Sequence, residues 1–220
     1  MTFGGRRRAM VREVIFIAAK GLKTQKGYGV IPRAAMADPY LCISAKVIYA
    51  YYCAAAGQGR GSFPKRKDII RNLGIGRTTY YRNFSELQFL GYLKAEQISD
   101  ANGKGQKSTV EILDLPGRFT LKAPVYLQRT WAKVLEGGIT AAGYGFIDKK
   151  VLLDNRISIK AKALYAYYAS FTEGDTLDIP RKEVVMLHLG MTKEVYLGAM
   201  KQLFVLGYLK GLEIPDKNLL

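Results

Sequence analysis

The sequence predicts a mainly α-helical chain with small β-hairpins, in which one helix-turn-helix unit occurs twice. Three observations carry this. The second half of the chain repeats the first; each copy spaces its apolar residues and glycines as three short helices; and a hairpin pattern follows the third helix of the first copy. Shifted by 116 positions, residues 28–94 align with residues 144–210 without a gap, and 21 of the 67 aligned positions are identical. The run Tyr49-Ala50-Tyr51-Tyr52 returns as Tyr165-Ala166-Tyr167-Tyr168, and Leu90-Gly91-Tyr92-Leu93-Lys94 returns as Leu206-Gly207-Tyr208-Leu209-Lys210. A unit this long exceeds the period of roughly 20–50 residues typical of solenoids. It reads as two copies of one small domain, which a length of 220 residues accommodates.

In the first copy, Gly29-Val30-Ile31-Pro32 is a short extended segment that Pro32 keeps from continuing as a central strand. Residues 43–52 are apolar on more than one side and predict a largely buried first helix, ending at the glycine-rich Gly57–Gly61. Pro64 opens a second helix, Lys65 to Leu73, since proline suits the first helical turn. Gly74-Ile75-Gly76 turns the chain into a third helix, Arg77 to Leu90, which Gly91 ends. On that helix Tyr80, Phe84, Leu87 and Leu90 share one face, which packs inward. Arg77 at the first turn, with Thr78, Tyr81, Arg82 and Ser85 opposite, is either an ordinary solvated face or one able to enter a major groove. Its setting after a short helix and a glycine turn favours the groove.

Residues 92–98 and 108–113 then read as two strands joined by the polar tip Ser99–Lys107. A hairpin placed after a recognition helix is the wing of a winged helix. Lys104 and Lys107 would lie near phosphate, or the tip is simply a flexible loop. The fold class is therefore two tandem winged-helix domains, with these divisions: a basic arm over residues 1–27, domain 1 over 28–115, a linker over 116–143 with a helix near Trp131, and a degenerate domain 2 over 144–220.

The copies differ where they would meet a ligand. Arg77, Thr78, Arg82 and Ser85 become Lys193, Glu194, Gly198 and Lys201, while Thr192 gains a helix N-cap where copy one has Gly76. The first copy thus reads as the main binder. The second is either a weaker nucleic-acid contact, through Lys193 and Lys201, or a surface for dimerisation and partner proteins.

Charge points the same way. The chain carries 34 Lys/Arg against 18 Asp/Glu, a net +16, of which +13 falls in residues 1–110. Such an excess favours a polyanionic partner, with Lys65, Arg66 and Lys67 near the second helix as further phosphate contacts. The arm's Arg6, Arg7 and Arg8 either track the DNA backbone or belong to a solubilising tail. No run of about 18 apolar residues is present, so a membrane is not an expected partner. The apolar stretch Val14–Ala19 is too short for a signal peptide, and Cys42 and Cys53 lack metal or redox spacing, so a cytoplasmic location is expected. Catalysis finds little support. His188 is the sole histidine, aligned with Asn72 and read as a surface or boundary residue. A nucleic-acid nickase needs a metal-binding histidine pair, and a phosphate-cradling Gly-x-x-x-x-Gly-Lys-Ser/Thr loop is lacking. No cofactor or metal is expected.

The order Ser44-Ala45-Lys46 through Tyr49-Ala50-Tyr51, then Phe63-Pro64, Leu73-Gly74-Ile75, Arg77-Thr78-Thr79-Tyr80-Tyr81-Arg82 and Leu90-Gly91-Tyr92-Leu93 resembles the winged-helix domain of replication initiators from plasmids and mobile elements of Gram-positive bacteria. The resemblance covers Tyr28 to about Leu115 well and Tyr144 to Lys210 less specifically. It implies binding of double-stranded DNA by the third helix and wing, carried here by Arg77, Thr78, Tyr81, Arg82, Lys104 and Lys107. Gly76 and Lys65 depart from that pattern, which has Ser or Thr at the first position and Ser at the second. A sequence-specific DNA-binding protein of replication initiation or element maintenance is the function implied. Transcriptional regulation is the alternative, and a protein-docking scaffold is a third reading. If both copies engage, two half-sites about 10 bp apart are expected.

Overall fold

A computed structural model describes residues 27–57, 61–62, 64–99, 106–113, 133–172 and 180–209. The first copy runs β1 (Tyr28–Pro32), α1 (Arg33–Ala37), α2 (Ile43–Ala56), β2 (Gly61–Ser62), α3 (Arg66–Leu73), α4 (Arg77–Phe89), β3 (Leu93–Ser99) and β4 (Gln106–Ile112). Residues 133–137 are helical. The second copy follows as β5 (Tyr144–Asp148), α5 (Lys149–Leu153), α6 (Ile159–Ala169), α7 (Lys182–Leu189) and α8 (Lys193–Val205). Among the described residues the fold is mainly helical, with one antiparallel strand pair, β1–β5, and one antiparallel sheet in the order β2-β4-β3.

The three long helices of copy one fall where the periodicity places them, and their ends have local causes. The C-terminus of α4 is a Schellman turn: Gly91 N–H donates to Gln88 O at 3.1 Å and Tyr92 N–H to Leu87 O at 2.8 Å, with Gly91 at φ 78°. Leu206-Gly207-Tyr208 closes α8 in the same way, with Gly207 N–H on Phe204 O and Tyr208 N–H on Leu203 O. The Leu-Gly-Tyr-Leu signature in each copy is thus a capping device that also delivers Tyr92, Leu93 and Leu209 to the core. At the other end of α8, Thr192 Oγ1 accepts from Val195 N–H at 3.4 Å, the cap expected, whereas Gly76 gives α4 no side-chain cap. Pro64 stands one residue outside the N-cap Lys65 rather than within the first turn of α3.

The copies are not separately packed. Buried residues of both form one continuous core, where the reading as two small domains implied two. At its centre α2 packs against its own counterpart α6, which explains why both helices are apolar all round: each is covered by its own copy and by the other. Strand β1 pairs antiparallel with its counterpart β5, so that Tyr28 faces Asp148, Val30 faces Phe146 and Pro32 faces Tyr144. Val30 and Phe146 are equivalent positions, and the other pairs exchange when the copies are swapped.

The remaining contacts between the copies obey the same exchange. Arg33 N–H donates to Gly143 O at 2.9 Å and Lys149 N–H to Gly27 O at 3.0 Å. The ammonium of Lys46, wholly buried, donates to His188 O at the end of α7, and that of Lys162 donates to Asn72 O at the end of α3. Both lysines thus meet a helix C-terminus, where carbonyls lack partners and a cation is favoured. Burial still pulls each down to about 8. Helices α1 and α7 pack together, as do α5 and α3. The described residues of the two copies form one body with an internal twofold relation between them.

Within each copy, one glycine lets the seam strand lie close on that copy's own helix. A Cβ on Gly29 would stand 1.9 Å from Cys53 O, and one on Gly145 1.8 Å from Ala169 O. Only glycine lets β1 and β5 lie directly on the ends of α2 and α6.

Within each copy, paired hydroxyls tie the third helix to the first. Tyr52 and Tyr80 share a hydrogen bond at 2.7 Å, as do Tyr168 and Tyr196. Tyr92 OH donates to Asp38 Oδ2 at 2.5 Å and Tyr208 OH to Asp154 Oδ2 at 2.7 Å. Most of the repeated tyrosines belong to the core. His188, read from sequence as a surface or boundary residue, is buried instead: its Nδ1 lies 2.7 Å from Tyr167 OH, as Asn72 Nδ2 lies 2.9 Å from Tyr51 OH. Burial, reinforced by the Lys46 ammonium, holds its imidazole down to about 4.

Candidate nucleic-acid interface

Helix α4 is anchored along one face. Tyr80, Asn83 and Leu87 are buried, and Phe84 stacks on Tyr80 with ring centroids 5.5 Å apart. Asn83 did not show in the apolar periodicity. Its Nδ2 donates to Thr79 O at 2.6 Å and its Oδ1 accepts from Cys42 Sγ at 2.8 Å, so a polar side chain is accommodated inside with both ends satisfied. The opposite face carries Arg77, Thr78, Tyr81, Arg82 and Ser85, all exposed.

The α3–α4 turn places further cations beside that face. Gly74 adopts the left-handed conformation (φ 62°, ψ 34°), its N–H donates to Arg71 O, and Ile75 N–H donates to Ile70 O. Lys65, Arg66 and Lys67 at the start of α3 are exposed. Arg66 reaches across to α4, donates to Tyr81 OH and holds its guanidinium 5.2 Å from the Tyr81 ring centroid. Arg77 lies 5.7 Å from the same ring. Tyr81 is therefore clasped between two guanidiniums, and its phenol is lowered, first by the hydrogen bond from Arg77 and further by Arg66. The clasp positions two arginines drawn from different helices without neutralising either. Arg71, by contrast, is paired with Asp68 at 2.9 Å.

Strands β3 and β4 follow α4 directly, and β2 completes the sheet on the far side of β4. Lys107 lies on β4 opposite Ile98. Lys104 and Arg6, Arg7 and Arg8 fall outside the described residues, as does Trp131. Strand β2 has no counterpart in the sequence reading, which places at Gly57–Gly61 only the end of the first helix. It is only two residues long, below the length at which alternation can be recognised.

In copy two the corresponding face of α8 presents Lys193, Glu194, Gly198 and Lys201, all exposed. Glu194 is held below the usual carboxylate range by backbone hydrogen bonding and by Thr192. Where α3 has the Asp68–Arg71 ion pair, α7 has Val184 and Leu187, the latter 62% exposed. Among the described residues no group of His, Cys, Asp and Glu could hold a metal ion, and no helix is long and apolar enough to cross a membrane. No protein-family model matches the chain, nor does any curated protein or solved structure searched for similarity.

Proposed function

We propose that the chain is a cytoplasmic double-stranded DNA-binding protein without enzymatic activity, built from two winged-helix units, with α4 as its principal recognition helix. The observation that carries this is the arginine-bearing outer face of α4, flanked by cations of α3, on a helix whose other face is locked into the core. The element order of copy one and the β2-β4-β3 sheet favour a winged-helix reading of that unit. Lys65, Arg66 and Lys67 contact phosphates and set register. Arg77 and Arg82 reach guanine edges, Thr78 and Ser85 make shorter polar contacts, and Tyr81 keeps the arginine array aimed.

Charge reversal tests the reading. Arg77→Glu with Arg82→Glu abolishes duplex binding in a gel-shift titration while the thermal midpoint is kept; undiminished binding rejects α4 as the reader. The process served is replication initiation or maintenance of a mobile element, with transcriptional regulation second. Chromatin immunoprecipitation recovering an origin supports the first, and recovery of promoters the second. The exposed Val184 and Leu187 on α7 favour a partner-protein contact by copy two in addition; a Val184→Asp, Leu187→Asp variant that still assembles with its replication partners would discard that role.

A further inference from the structure

The manner in which the copies are joined constrains the DNA they recognise, provided the DNA-binding reading holds. Swapping the copies returns the same set of contacts: the β1–β5 register, the Arg33–Gly143 and Lys149–Gly27 bonds, the Lys46–His188 and Lys162–Asn72 bonds. Contacts that are reciprocal in this way are isologous, and an isologous relation is a twofold rotation; a head-to-tail arrangement would join unlike patches. The α3–α4 and α7–α8 pairs, as equivalent parts, are therefore related by that rotation. When both of two reading heads related by a dyad engage one duplex, they meet its two strands in opposite directions.

The heads are chemically unlike. Arg77, Thr78 and Arg82 on α4 correspond to Lys193, Glu194 and Gly198 on α8. Arginine forks onto the O6 and N7 of guanine, ionised glutamate accepts from the N4 amino group of cytosine, and glycine reads nothing. We propose that a single chain recognises an inverted pair of unlike half-sites in double-stranded DNA: a guanine-containing half read by α4, and a less specified half met by α8 that includes cytosine opposite Glu194. The protein behaves as a covalent dimer that has broken its own symmetry, so it fixes the direction in which it sits on the duplex.

The test is selection of the full chain on a randomised 30-bp duplex library, followed by anisotropy on the enriched duplexes. The expected result is an inverted arrangement with one well-defined half and one weaker half. Arg77→Ala with Arg82→Ala should erase base preference in the defined half only, and Glu194→Gln in the weaker half only. Gly198→Arg, at a helix position where an added Cβ meets nothing within 4 Å, should sharpen the weaker half toward the other. A direct repeat or a lone half-site, bound well, overturns this inference and leaves DNA binding standing. Failure to retain any duplex overturns both.

Discussion

Replacing His188 by asparagine should flatten the acid limb of the stability curve while leaving neutral stability nearly unchanged. In the folded chain the imidazole is buried against Tyr167 with the Lys46 ammonium nearby, and it protonates only at about 4. The unfolded chain takes up that proton near its ordinary value of about 6.5. Between these values the unfolded state binds more protons, so stability falls as pH drops from about 6.5 to 4 and is flat for this group above 6.5. At about 1.4 kcal/mol per pH unit the histidine accounts for about 3 kcal/mol over that window. Asparagine is the residue at the equivalent position of copy one, where Asn72 bonds Tyr51, so His188→Asn should keep the hydrogen bond to Tyr167 and lose the titration. Asp38 and Glu86, whose carboxyls are raised by burial, and Asp154, held low by Arg156, titrate in both proteins and cancel in the difference. Urea denaturation of wild type and variant at pH 7.5, 6, 5 and 4 measures it. Parallel curves would refute the reasoning, as would a wild-type His Hε1 resonance that titrates at 6.5.

Other consequences follow from the seam and the interface. Gly29→Ala and Gly145→Ala drive a methyl into a helix carbonyl and should each cost about 3 kcal/mol or more in chemical denaturation, whereas Gly198→Ala, exposed in the middle of α8, should stabilise by about 0.5–1 kcal/mol. Tyr80→Phe leaves the buried Tyr52 hydroxyl without its 2.7 Å partner and should cost about 1–3 kcal/mol; a loss below 0.3 kcal/mol would mean the pair is not formed. A fragment of residues 1–115 lacks β5 and α6, so it should dimerise through its own β1 and α2, and a folded monomer by light scattering would contradict the reciprocal seam. Arg66→Ala should weaken duplex binding while stability moves by less than about 0.5 kcal/mol.

Much of this architecture was legible in the chain because its causes are local. The 3.6-residue spacing of Tyr80, Phe84 and Leu87 marks the inner face of α4, and Gly74 and Gly91 mark the ends of α3 and α4 through left-handed φ. The exposed face of α4 followed from the same periodicity, by subtraction, and Lys65, Arg66 and Lys67 at the start of α3 from charge. The relation between the copies was not legible: a sequence repeat says that two units are alike, and nothing in the spacing says how they meet. In retrospect Lys46 and Lys162, invariant inside apolar helices, were the traces of the seam, while Gly29 and Gly145, also invariant, mark where each strand lies on the helix of its own copy. A lysine kept within a buried helix needs an acceptor, and here each finds it in the other copy. His188 was misplaced for the same reason, since the carbonyl and ring it offers are covered by groups 21 and 142 residues away.

The central claim is met most directly by fluorescence anisotropy of the full chain on a labelled random duplex and a matched single strand, from 50 to 300 mM salt. Binding to the duplex with log K falling by about 0.9 per phosphate contacted, and a shallower slope for Arg77→Ala with Arg82→Ala, is the result predicted. Absence of binding to the duplex at low salt would contradict it and leave the paired copies as a protein-docking scaffold.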